Sequence, residues 1–125
     1  MPFADLSGVE VLAAEPHEVT ARLAWDESRC TAGGILHGGA LMTLADSAGG
    51  LCAFLNLPDG ATGTATVESK TNFLRPVSEG AATAVARPVN VGRTLILVQT
   101  EIRDAAGRLV ALTTQTQAVL RRNGP

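Results

Sequence analysis

A chain of 125 residues, 46% of them hydrophobic, is the length of a single domain (1–125) with a real core, and it has no disordered or low-complexity character. Ten Lys and Arg against twelve Asp and Glu give a formal charge of −2, with no basic field for nucleic acid and no Arg/Lys cluster interleaved with aromatics. The opening MPFADLSGVEVL has no basic region followed by an apolar run, so no secretory signal is expected and the protein reads as cytoplasmic.

In chain order, the first residues are a lead-in or a turn of helix, and residues 9–14 form a weak strand that Pro16 breaks. Residues 17–25 alternate, with Val19, Ala21, Leu23 and Trp25 on one face and Glu18, Thr20 and Arg22 on the other, as in a half-buried antiparallel strand. A loop, DESRCTAGGI, leads to residues 36–57, LHGGALMTLADSAGGLCAFLNL. There Leu41, Leu44, Ala48, Leu51 and Leu55 recur at helical spacing, and Asn56, Pro58 and Gly60 stop the helix. Its other faces are hardly more polar, which marks a helix buried all round or a membrane span. An acid near its centre argues against the membrane, where a mid-bilayer charge costs about 3 kcal/mol. Gly49 and Gly50, each costing about 1 kcal/mol against Ala, suggest another backbone packed against that face.

Four long strands follow, at residues 63–74, 81–91, 94–103 and 108–120, with turns at Pro58-Asp59-Gly60, Ser78-Glu79-Gly80, Gly92-Arg93 and 104–107 and a basic, frayed tail at Arg121 and Arg122. The order predicts α+β, an antiparallel sheet wrapped around one helix. Cys30 and Cys52 form no C-x-x-C, and Cys52 is expected as a reduced, buried thiol.

Two motif resemblances fail on context. Ala45-Asp46-Ser47-Ala48-Gly49 is like a nucleophile elbow and His37-Gly38-Gly39-Ala40 like a lipase oxyanion loop, but Ser47 falls mid-helix and no His follows it. His17 and His37 share no metal-ligand spacing, and no H-E-x-x-H is present, so no metal is expected. What remains is His37-Gly38-Gly39 at the helix start and Asp46 inside it. Taken singly, the glycines suit any tight loop and His37 any capping histidine. Asp46 is different: no helical Lys or Arg lies three or four residues away, and an unpaired acid is costly to bury. Such an acid is a functional candidate. The free amides at the helix start, Gly38 above all, suit a carbonyl oxygen that gains negative charge. Eight residues separate Gly38 from Asp46, about 12 Å of helix, so the two can serve one carbonyl only if Asp46 comes from a second chain across a two-fold interface.

At these residues the chain resembles the phenylacetate-degradation (PaaI-like) type of hotdog-fold acyl-CoA thioesterase. The marks are Gly34-Ile35-Leu36-His37-Gly38-Gly39-Ala40, Leu44-Ala45-Asp46-Ser47, Asn72-Phe73-Leu74-Arg75-Pro76 and Val91-Gly92-Arg93, and the likeness runs through Leu120. It implies a long central helix in a curved antiparallel sheet, and dimers or dimers of dimers with sites between subunits. Asp46 would be nucleophile or general base, the Gly38 amide would polarise the thioester carbonyl, His37 belongs to the same turn, and Thr66 would position water or the acid. Gly39, Thr31, Ser47 and Gly92 fall at substrate-binding positions. Arg75 and Arg93, with Lys70 a weaker candidate, would meet the phosphate or adenine end of coenzyme A. No cofactor is implied beyond coenzyme A as part of substrate and product. One departure stands out: six residues before His37, relatives commonly carry Asn or Gln, and this chain has Thr31, whose hydroxyl donates only one bond. The alternative is a non-catalytic acyl-CoA binding module. A dehydratase or hydratase is disfavoured, because His37 belongs to the glycine turn. Leu and Ala side chains with Phe54 or Phe73 would line the acyl pocket.

Overall fold

Six strands form one antiparallel sheet in the order β1-β2-β4-β5-β6-β3, from β1 (Glu10–Glu15), β2 (Glu18–Ala24), β3 (Ala61–Phe73), β4 (Ala81–Val91), β5 (Leu95–Arg103) and β6 (Leu109–Arg121). The computed structural model describes residues 1–122. One face of the sheet carries a continuous buried row, mostly apolar. Val19, Ala21 and Leu23 lie opposite Ala86, Ala84 and Ala82, which continue through Ile102 and Thr100 on β5 to Ala111 and Thr113 on β6. Against that face packs α2 (Gly38–Leu55), burying Leu41, Leu44, Ala45, Ala48, Cys52 and Ala53. Apolar surface buried in this seam stabilises the fold at about 25 cal/mol per Å². The expected architecture, a sheet around one helix, is the one observed.

Of the two readings of the first residues, the helical one is observed, as α1 (Pro2–Ser7), with Gly8 closing it at φ +89°. Several details differ. Val9 lies buried at the junction rather than in β1, its amide donating to the Ala4 carbonyl. The strand read from residue 17 begins at Glu18 and stops before Trp25, whose indole N–H donates to the Gly34 carbonyl at 3.0 Å. The central helix starts at Gly38 rather than residue 36, because Leu36 pairs with Cys30 and donates to the Val77 carbonyl, an extended arrangement. Its C-terminal end is Leu55, with Asn56 as cap and Leu57 beyond it. Arg121 is not frayed: it ends β6, and its guanidinium donates to the carbonyls of Asp59 and Arg93.

The helix is not buried all round. Met42 and Phe54 are 42% and 52% exposed, and Asp46 is exposed beside them, so one face stays open in a single chain. Length and composition alone would let Gly38–Leu55 cross a membrane, but its other face is the floor of the core. Gly49 and Gly50 meet no second backbone within the chain. A Cβ on Gly49 would fall 1.9 Å from the Gln115 Oε1, and a Cβ on Gly50 would meet nothing within 4 Å. The close approach is made by a side-chain amide.

Candidate active site

At the helix start, His37 is extended (φ −61°, ψ 138°) and acts as the cap, its Nδ1 accepting from the Gly39 amide at 2.8 Å. That satisfies one of the amides the first turn leaves free. The His37 carbonyl accepts from Ala40 and Leu41, and the Gly38 amide has no partner among the described residues. Across it lies Phe73, whose ring would sit 3.2 Å from a Cβ at Gly38. Gly38, Phe73, Thr31, Arg75 and Leu41 line one apolar cleft of about 370 Å³. In the loop, the Thr31 hydroxyl oxygen accepts from the Gly33 amide at 3.2 Å, which leaves its hydrogen to donate elsewhere.

Asp46, two turns along the helix, faces β3 and β6 at the open edge of the sheet. Its Oδ1 accepts from the Thr66 hydroxyl at 3.2 Å and from the Gln115 amide nitrogen at 3.2 Å, while Gln117 Nε2 donates to the Thr66 oxygen at 2.6 Å. Thr66 reaches Asp46 through a β-bulge at Val67. Thr66 lies opposite Gln117 and Glu68 opposite Thr116, so the extra residue shifts the alternation and Ser69, opposite Gln115, also faces inward. Asp46, Ser69, Ser47, Gly39 and Phe3 border a second cleft of about 410 Å³. The Ser47 hydroxyl donates to the Thr43 carbonyl at 2.7 Å, an ordinary bond within the helix, so Ser47 has none of the surroundings of a hydrolase nucleophile.

Thr66 and Asp46 are thus brought together, and so are Gly38, Thr31 and Arg75. Gly38, Thr31 and Arg75 line the first cleft, and Asp46 borders the second, which reaches Gly39 on the helix's other side. Arg75 and Arg93 are likewise apart. The Arg75 amide donates to the Val110 carbonyl, whereas the Arg93 carbonyl accepts from Arg121 and its neighbour Thr94 from Val119, so about 30 Å of β6 separates them. Gly92 turns the β4–β5 hairpin, its amide donating to the Leu95 carbonyl and a Cβ there falling 2.8 Å from that oxygen. Arg93 and Lys70 are exposed. Phe54 stands about 24 Å along the helix from Gly38, so Phe73 is the aromatic at the helix start. Cys52 is buried, and burial pushes its thiol up; desolvation, then Asp26 and Glu27, does the same to Cys30. Among the described residues, no three His, Cys, Asp or Glu side chains gather as metal ligands.

Sequence patterning does not single out Gln115 and Gln117. In TTQTQ both parities are polar, so alternation cannot say which side is inside. The available signal was that a central strand must turn one parity into the core, placing buried amides there.

Residues 33–111 match the Thioesterase superfamily. A thioesterase from Haemophilus influenzae is 30% identical and superposes with a TM-score of 0.89 over 95% of this chain and 82% of that one. A variant of the phenylacetic acid degradation protein PaaI from Thermus thermophilus, also 30% identical, superposes at 0.87 over 96% of this chain and all of that one. The 1,4-dihydroxy-2-naphthoyl-CoA hydrolase of Escherichia coli is 34% identical over 87 residues, 70% of this chain and 63% of that protein. Together with the curved sheet around α2, these likenesses show that the chain has the hotdog fold and belongs to the Thioesterase superfamily.

Proposed function

We propose that the protein hydrolyses an acyl-CoA thioester, with Asp46 of one chain and the Gly38 amide of another acting on the same carbonyl. The observation that carries this reading is the pair of half-sites on one helix. A free first-turn amide stands in an apolar cleft, and a carboxylate held by two donors stands on the open face two turns away. The likeness to the 1,4-dihydroxy-2-naphthoyl-CoA hydrolase supports the substrate class.

The Asp46 carboxylate takes a proton from water as the water oxygen bonds to the thioester carbon, or itself adds to that carbon ahead of water. The Gly38 amide, at the positive end of the helix dipole, holds the oxygen as it becomes an oxyanion. Collapse breaks the carbon–sulfur bond, and the thiolate leaves with a proton, giving free acid and coenzyme A. Thr66 orients the acid, and Phe73 with Thr31 borders the acyl side. Arg75 and Arg93, exposed at opposite ends of β6, meet the coenzyme's phosphates from different subunits. Besides coenzyme A within the substrate, the reaction calls for no cofactor, metal or nucleic acid, and the enzyme works in the cytoplasm as a homodimer or dimer of dimers. Edge strand β3, with Val67 61% exposed, and the helix face bearing Met42 and Phe54 are the surfaces for that pairing.

The test is free-thiol release from a panel of aryl and straight-chain acyl-CoA thioesters, wild type beside Asp46→Asn. Hydrolysis that falls at least about 100-fold in the variant is expected. Full activity in Asp46→Asn sinks the reading. The single donor at Thr31 favours one second reading, a non-catalytic acyl-CoA binding module, which predicts measurable affinity without thiol release from any thioester.

A further inference from the structure

Two buried glutamines point at the Asp46 pair from the sheet. On β6, Gln115 and Gln117 are fully buried, opposite Val98 and Ile96 on β5, in a row whose other buried polar members are only the small side chains of Thr113 and Thr100. Packing alone would favour Leu or Met at both positions. Instead the Gln115 amide nitrogen donates to Asp46 Oδ1, while its Oε1 is buried with no hydrogen-bond partner among the described residues, wedged against Gly49. The reverse orientation of that amide would set its oxygen against the carboxylate, so the donor must face Asp46. A buried unpaired acceptor is a standing cost, and Gly49 rather than Ala is what makes room for it. Gln117 does a different job. Its donation to the Thr66 oxygen occupies a lone pair there, so the one hydroxyl hydrogen is directed to Asp46 Oδ1.

Both donors converge on Oδ1, and neither touches Oδ2. We propose that Gln115 and Gln117 are positioning residues that fix which oxygen of Asp46 reacts, holding Oδ1 directly and through Thr66 and leaving Oδ2 to face the thioester. The inference rests on the reading of Asp46 as the reacting acid. It gives a chemical reason for two buried glutamine amides opposite apolar residues and for a glycine inside the helix.

The test compares kcat, KM and thermal midpoint for Gln115→Met and Gln117→Met, the latter also in Thr66→Ser and Thr66→Val backgrounds. Gln115→Met is expected to lower kcat about 10- to 100-fold with KM within about twofold, while its thermal midpoint stays level or rises because the unpaired acceptor is gone. Gln117→Met is expected to lower kcat about tenfold in the wild type and in Thr66→Ser, and to have no further effect in Thr66→Val, where no hydroxyl remains to direct. Thr113→Val is the control, since its hydroxyl pairs with Thr71 at 2.8 Å and is expected to leave kcat unchanged. Unchanged kcat in both glutamine variants, with Asp46→Asn inactive, overturns this assignment and leaves the thioesterase standing. A kcat loss that tracks a lowered thermal midpoint, or that is equal in Thr66→Val, also overturns it. A wild type inactive on every thioester overturns the functional reading and this assignment with it.

Discussion

Gly49 and Gln115 show how one missing methyl group connects the core to the site. Since a Cβ at position 49 would fall 1.9 Å from the Gln115 Oε1, Gly49→Ala must displace the amide or the helix. The helical preference of Ala, about 1 kcal/mol, works in its favour, but overpacking costs about 1–3 kcal/mol. We expect a lower thermal midpoint and reduced turnover together, read by thermal unfolding and thiol release on the same sample. Gly50→Ala, with open space around it, should instead be neutral or stabilising within the chain. At this scale the sequence was half legible. Asp46 stood out because an unpaired acid in an apolar run has no bland explanation, and His37 and Gly38 because they open the helix. Gln115 and Gln117 stayed hidden because a strand polar on both parities does not declare its inner face. The sequence reads Asp46 as buried because its neighbours are apolar, yet in the fold its face is the open one.

At the scale of elements, periodicity located every long strand and the helix, and the errors sit at ends and irregularities. The helix start moved by two residues because Leu36 is held in an extended pairing that no local propensity announces. The bulge at Val67 was invisible for a similar reason: it breaks the alternation by which strand faces are read, and it is what turns both Thr66 and Ser69 inward. The β5–β6 turn carries a pH-dependent prediction. Asp104 accepts from the Arg108 and Ala106 amides at 2.9 and 3.0 Å and from the Arg108 guanidinium at 2.9 Å. The bond from the Arg108 amide foremost, against some desolvation, holds its carboxyl below the usual carboxylate range. A carboxyl depressed in the folded state stabilises fully above its unfolded value, about pH 4, and loses that contribution as pH falls through the lower folded value. Asp104→Asn should therefore lower the thermal midpoint by a constant amount from about pH 5 to 7, and the gap to wild type should close below about pH 4. A gap that does not vary with pH would show that the turn's hydrogen bonds, not the charge, matter.

The whole molecule is organised by a separation. Gly38 and Asp46 lie on one helix about 12 Å apart, and Arg75 and Arg93 about 30 Å apart along β6, so in the proposed reaction the amide and the acid meet one carbonyl only from two chains. The same open edge exposes β3, Met42 and Phe54. The sequence alone carries the Gly38–Asp46 separation as helix arithmetic, whereas the distance between Arg75 and Arg93 and the division of Gly38 and Asp46 between two clefts need the fold. The acyl group was not legible, because the width of the pocket depends on how two chains pack.

The most direct test of the two-chain site is complementation between inactive variants. Gly38→Pro removes the amide at a helix position that tolerates proline, and Asp46→Asn removes the acid. Each homodimer then has no complete site. Randomly mixed dimers of the two contain one chain with Gly38 and one with Asp46 in half of cases, and each such dimer has one intact site of two. The account predicts recovery to about a quarter of wild-type thiol release when the variants are co-expressed or refolded together. No recovery, with mixed dimers shown to form, would contradict it, because a site built within one chain is broken in both variants.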